Sequence, residues 1–336
     1  MFINDNIRII YDKPLAMKLT VLVLDQVFDT GLTSVLDILS MANELDGASS
    51  GRRRFEIGLA GTDETVRTGL GMKVQPSPFE TIKQPDWVIV PALAAKQPDR
   101  LSQALEREDV RRAKDQIVKW RDAGAKVAAA CTGTFIVADT GILDGGEATT
   151  TWSLSPFFRQ RFPKIRLDET RLVKFSREVA TAGAMMGHLD LALWLVRQSS
   201  PELAARLARF MLIDNRSSQA EYIIPDFLAH ADPLVERFEG WCRKHLAEGF
   251  DLQAAADFLH VHTRTLQRRM EAVLGKSPLA FFQDLRIERA KLLVAEGRDL
   301  ETIAGEVGYA DAATLRNLLR RKLGHGVHAI RAARQK

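Results

Sequence analysis

From residue 18 to residue 131 the apolar positions fall into short unbroken runs, and two of the stretches between them repeat at helical spacing. The runs KLTVLVLD (18–25), FEIGLAGT (55–62), DWVIVPAL (86–93) and KVAAAC (126–131) predict strands. Strands with apolar residues on both faces belong in a parallel sheet covered by helices on both sides. Between them, GLTSVLDILSMANEL (31–45) sets Leu32, Val35, Leu36 and Leu39 on one helical face. DVRRAKDQIVKWRDAG (109–124) predicts an amphipathic helix stopped by Gly124. RLVKFS and EVATAG, within 171–183, predict a late pair of strands before GHLDLALWLVRQ returns to helix. The expected fold of this half is α/β, a parallel sheet sandwiched by helices in the flavodoxin-like manner.

After Pro201 the strand pattern stops. PELAARLARFML is helical, residues 213–233 mix polar residues with proline, and everything from Leu234 onward carries helical punctuation. The chain therefore divides into an α/β domain over 17–213, a linker over 214–233 and an all-α domain over 234–336. Residues 1–16 fit neither half and are expected to be a disordered extension, with Met17 as the alternative start.

Within the all-α part, DLQAAADFLHVHTRTLQRRMEAVLG (251–275) places Leu252, Ala255, Ala256 and Leu259 on one short helix face. A turn follows at His260–His262, and Leu266, Met270 and Val273 mark the buried stripe of a second helix. DLETIAGEVGYADAATLRNLLRRKLG (299–324) repeats the plan with Ile303, Ala304 and Val307, a break at Gly308, then Leu315, Leu318 and Leu319. Between them SPLAFFQDLRIERAKLLVAEG (277–297) reads as a connecting helix with Pro278 in its first turn. A short helix, a tight turn and a second basic helix, twice over, predict two helix-turn-helix units. The outward stripes of the second helices are Arg264, Gln267 and Arg268 in one unit and Ala313, Arg316 and Asn317 in the other, each at i, i+3, i+4 spacing. Arginine pairs bidentately with guanine, and asparagine or glutamine with adenine, so these residues are expected to read bases. Arg269, Arg320, Arg321 and Lys322 lie off the stripes and are expected at phosphates.

Charge adds to this picture. From Ala231 to the end there are 18 Lys+Arg against 14 Asp+Glu, while the preceding residues carry 29 of each. No acid follows Asp311. The excess cation is therefore confined to the proposed DNA-reading end. No run of apolar residues is long enough to cross a membrane, and the first residues lack the apolar core of a signal peptide. Two cysteines, Cys131 and Cys242, make no disulfide framework, and a cytoplasmic protein without a metal or other cofactor is expected.

Three segments of the tail, TRTLQRRM, GKSPLAFFQDLRIERAKLL and IAGEVGYADAATLRNLLRR, resemble the AraC/XylS family DNA-binding domain, and the likeness spans residues 234–331. Val327 stands where that family has proline, and Leu315 and Leu319 where aromatics are usual. In the first half, DWVIVPAL, VAAACTGTFIVADTGILDGGEATTTW and VATAGAMMGHLDLALWLVR resemble the ThiJ/PfpI family, a class I glutamine amidotransferase-like fold. The two together resemble GlxA-type transcriptional regulators. The resemblance implies a sequence-specific regulator on double-stranded operator DNA. It also implies a small polar, often nitrogen-containing effector and dimerisation through the N-terminal domain; RNA polymerase is a further candidate partner.

The segment VAAACTGTFIVADTG (127–141) delivers Cys131 into a small-residue turn between strand and helix, the shape of a nucleophile elbow. A thiol needs a base, a cation or a helix N-terminus to become thiolate. Here Thr132 follows the cysteine where the ThiJ/PfpI hydrolases tend to have histidine, Thr151 precedes Trp152 where relatives show His-Trp, and no histidine precedes His188. The family's carboxylate aligns with Gly31. The expectation is a non-catalytic ligand pocket at the C-terminal strand ends, lined by Cys131, Thr132 and Gly133 with Thr151 and Trp152 nearby, and no catalytic residue. The positive end of the helix after Cys131 would favour an anion there. His188 is expected to be structural and Cys242 a packed helix residue. The alternatives are a cysteine hydrolase or amidase tethered to nucleic acid, a purely structural dimerising domain, a thiol redox sensor, and a non-specific DNA binder.

Overall fold

The computed structural model describes residues 16–50, 53–214, 216, 218–323 and 326–327. The expected extension, apart from Ala16, and the basic end of the chain from residue 328 lie outside those residues. Strand β1 (Met17–Leu22) leads into α1 (Asp29–Ser50), which returns the chain to β2 (Phe55–Gly61). β3 (Val66–Arg67) pairs with β4 (Lys73–Val74), and β5 (Ser77–Pro78) adds an edge beside β2. Next come β6 (Trp87–Val90), α2 (Pro98–Leu105), α3 (Glu108–Asp122), β7 (Lys126–Ala130) and α4 (Gly133–Asp139). β8 (Glu147–Ala148) and β9 (Arg166–Leu167) flank α5 (Ser155–Arg161). The hairpin β10 (Val173–Ser176) and β11 (Val179–Ala182) then precedes α6 (Gly187–Ser199) and α7 (Pro201–Phe210).

The main sheet runs β10-β11-β7-β6-β1-β2-β5. All its pairings are parallel except β10 with β11. The apolar runs of the sequence supply the central strands, as burial on both faces requires. One face packs Leu101, Val110, Ile117, Phe135 and Phe158 from α2 to α5. The other packs Val35, Ile38, Leu191, Leu195 and Leu203 from α1, α6 and α7.

The stretch read as a linker folds onto its neighbours and includes α8 (Pro225–Ala229). Then come α9 (Pro233–Lys244), α10 (Leu252–Leu259), α11 (Thr263–Leu274), α12 (Pro278–Ala295), α13 (Leu300–Glu306) and α14 (Ala312–Leu323). α10, α13 and α12 start on side-chain caps. Asp251 accepts from the Gln253 and Ala254 amides, Asp299 from Thr302, and Ser277 from Ala280. Such caps are worth about 1 kcal/mol each. α10 stops at His260 and α11 at Gly275, both left-handed, which turns the chain sharply between helices. Ala256 and Ala304 are fully buried where each helix pair crosses. α12 buries apolar residues along its whole length because it serves two cores. Phe281, Phe282 and Leu285 complete the first unit, and Ala290, Leu293 and Val294 the second. Among the described residues no helix is long and apolar enough to cross a membrane.

Candidate DNA-binding surface and cysteine-elbow cavity

α11 and α14 each bury one stripe and expose the other. Leu266, Met270 and Leu274 face the first core, and Leu315 and Leu319 the second. Arg264, Gln267, Arg268, Ala313, Arg316 and Asn317 are all exposed, as are Arg320 and Arg321. The side chain of Lys322 lies outside the described set. Among the described residues Arg264, Arg268, Arg316, Arg320 and Arg321 form no ion pair, so no internal carboxylate neutralises their charge. Arg269 differs. It is paired with Asp232, which also caps α9 by accepting from the Leu234 and Val235 amides.

At the C-terminal ends of the strands, Cys131 sits in the elbow with φ of +54°. Its amide donates to Ala182 O, and its carbonyl accepts from Thr150 Oγ1 at 2.7 Å. Burial pushes the thiol up to about 11, outweighing the Thr132 amide, the Thr151 hydroxyl and the Lys96 charge, each of which acts in the opposite direction. Gly133 lies tight against the Val90 and Pro91 carbonyls, where a side chain would strike backbone.

Neither ring nitrogen of His188 is bonded to the thiol. Its Nε2 accepts from the Ala92 amide at 3.0 Å and its Nδ1 donates to Met185 O at 2.9 Å. Both nitrogens are committed, and burial lowers its pKa to about 4. The ring fills the space beside Gly31, where a Cβ would stand 2.7–2.9 Å from it. The space beside Gly31 is therefore filled by a neutral imidazole from α6.

The cavity beside Cys131 has about 40 Å³, room for a few waters at most. Cys131, Thr132 and Thr151 line it, together with Phe28, Lys96, Ser153 and Met185, which the sequence did not single out. Thr132 Oγ1 is bonded both to the amide and to the carbonyl of Leu93. Thr151 Oγ1 meets Ser153 Oγ at 3.2 Å. Lys96 is exposed and, among the described residues, has no anionic partner. α4 is only seven residues long, and the positive charge at the cavity is that of Lys96. Gly133, expected in the lining, is not part of it because it packs against the Val90 and Pro91 carbonyls, nor is Trp152, whose ring lies edge-on to Phe227 of α8, 5.4 Å between centroids. Cys242 is buried in α9, as expected of a packed residue.

A family described as a helix-turn-helix domain matches residues 255–333. The HTH-type transcriptional regulator GbdR of Pseudomonas aeruginosa is 26% identical over 280 residues, 82% of this chain and 73% of that protein. The HTH-type transcriptional regulator GlxA of Rhizobium meliloti is 24% identical over 211 residues, 59% of this chain and 62% of its own length. The α/β part shares its fold with a solved Vibrio parahaemolyticus protein classed with transcriptional regulators, at 18% identity and a TM-score of 0.50, over 59% of this chain and 99% of that one.

Proposed function

We propose that this chain, a DNA-binding transcriptional regulator with an AraC-type helix-turn-helix domain behind a GlxA-like α/β domain, reads its operator with two separate helices and senses a small anionic metabolite without catalysis. The observation that carries the reading is the pair of exposed, unpaired stripes on α11 and α14. Arg264, Gln267 and Arg268 read one half of the site, and Ala313, Arg316 and Asn317 the other. Arg269, Arg320, Arg321 and Lys322 hold phosphates, and the Arg269–Asp232 pair exchanges carboxylate for phosphate on binding.

The effector enters at Cys131, Thr132 and Thr151, with the Gly133 backbone beneath them and Lys96 as the countercharge for a carboxylate or similar group. The present cavity is too small for a metabolite, so Met185 and Lys96 at its mouth move aside. Trp152 carries the pocket's wall toward the second domain. The buried thiol and the committed His188 support a sensor rather than a hydrolase. The working unit is a cytoplasmic homodimer formed through the 17–213 domain, with 214–233 as connector and 234–336 on DNA, and RNA polymerase as its further partner.

Separate Arg264→Ala and Arg316→Ala variants test the reading on footprinted DNA. Each is expected to weaken its own half-site by about 1–3 kcal/mol while leaving discrimination at the other intact. Equal loss across all sequences would reduce the two arginines to phosphate contacts.

A further inference from the structure

The wall of the cavity continues directly into a contact with the first recognition helix. Thr150 holds the Cys131 carbonyl, Thr151 lines the cavity, Trp152 packs against the first helical core, and α5 begins three residues later. α5 packs on the C-terminal half of α11. Its Arg159, ion-paired with the buried Glu169, fills the space where a side chain on Gly275 would stand. Around this contact lies an open cleft of about 1130 Å³. Pro156, Phe157 and Gln160 form one wall, and Arg269, Ala272 and Lys276 the other.

The stretch before α8 fastens the arrangement. Gln219 is buried, and its amide nitrogen donates to Thr149 Oγ1, Thr150 O and Arg171 O at 3.0–3.2 Å. It occupies the room left by Gly183, where any Cβ would overlap it. Phe227 then meets Trp152.

A helix is about 10–12 Å across and the major groove about 12 Å wide, so DNA strands must run along both flanks of an inserted helix. The Arg269–Ala272 flank of α11 faces α5 across the cleft. We propose that α5 is an autoinhibitory dock, held by Gln219 in its Gly183 socket and by Trp152 on Phe227, which keeps α11 out of the groove until the Thr149–Arg161 segment shifts. The inference rests on α11 being a DNA-reading helix, and the test separates the two.

Gln160→Cys and Ala272→Cys, both exposed positions on the cleft, are introduced together into the full chain and joined by a short bis-maleimide. Binding of a labelled random-sequence DNA duplex pool is measured before and after joining. Joining is expected to proceed readily and to weaken binding at least about tenfold. Failure to join, or unchanged affinity once joined, overturns the dock. In the opposite direction Gly183→Ala, which ejects Gln219, and Phe227→Ala are each expected to tighten binding several-fold. Equal or weaker binding by both folded variants also overturns it. Arg264→Ala in the unjoined chain reports on the underlying reading: if it leaves binding to a footprinted operator unchanged, α11 is not the DNA helix, whatever the dock does.

Discussion

Gly308→Ala is expected to destabilise the C-terminal domain by about 2–5 kcal/mol, combining a left-handed backbone cost with overpacking. Gly308 has φ of +74°, a region that L side chains enter only with strain. A Cβ there would stand under 3.0 Å from the Arg286 guanidinium and from the Leu246 and Ala247 carbonyls. The backbone atoms cannot retreat. Arg286 is itself fixed, donating to Leu246 O at 2.9 Å and lying over the rings of Phe282 and Tyr309 at 4.7 and 5.2 Å. Displacing it would unseat α12 from the loop before α10 and loosen α13 and α14 together. Thermal denaturation should show the helical transition lowered by roughly 10 °C or more while the α/β transition stays in place. An unchanged melting curve would mean that the turn between α13 and α14 tolerates a side chain.

Gly31→Glu, which puts a carboxylate at the position expected to match the hydrolases' carboxylate, should unfold the α/β domain rather than create a catalyst. Its Cβ would overlap the His188 ring, and the ring cannot swing out without abandoning the Ala92 amide and the Met185 carbonyl. Overpacking of this kind costs about 1–3 kcal/mol, and each buried group left without a partner about 1–3 more. Removing the ring should relieve the clash, so Gly31→Glu with His188→Ala should be more stable than Gly31→Glu alone. Additive losses in that double-mutant cycle would deny the steric link. The same histidine gives a pH signature. Its folded pKa lies below the unfolded value of about 6.5, so its neutral form supports folding above that pH. That support is lost as pH falls from about 6.5 toward 4, at most about 3 kcal/mol in all. The decline should be shallower in His188→Ala when wild type and variant are melted at the same series of pH values.

The parts legible in the sequence were those set by local repetition. The four apolar runs became β1, β2, β6 and β7; β1, β6 and β7 are covered on both faces and so need apolar residues nearly throughout. The second helices of the two units were legible because one face of each had to be apolar. α5 was not. SPFFRQR lasts two turns, too short for a helical repeat to show, and its importance comes from what it touches. Gln219 stood in a polar stretch that reads as connector. Its burial depends on the missing side chain of Gly183, 36 positions earlier in the chain. The cavity was half legible. Cys131, Thr132 and Thr151 follow from the elbow, whereas Phe28, Lys96 and Met185 arrive from three separate loops. Trp152 is adjacent to the cavity in sequence but turned away from it, because an exposed apolar ring, Phe227, offers it a partner on α8.

The most direct test of the two-helix account is a genomic-fragment selection with the purified full chain at physiological salt, run beside an Arg264→Ala, Arg316→Ala double mutant. The account expects a few fragments sharing one two-part motif to be enriched by the wild type and lost with the double mutant. Uniform recovery of fragments by both proteins, falling equally with salt, would contradict it and leave a non-specific polyanion binder.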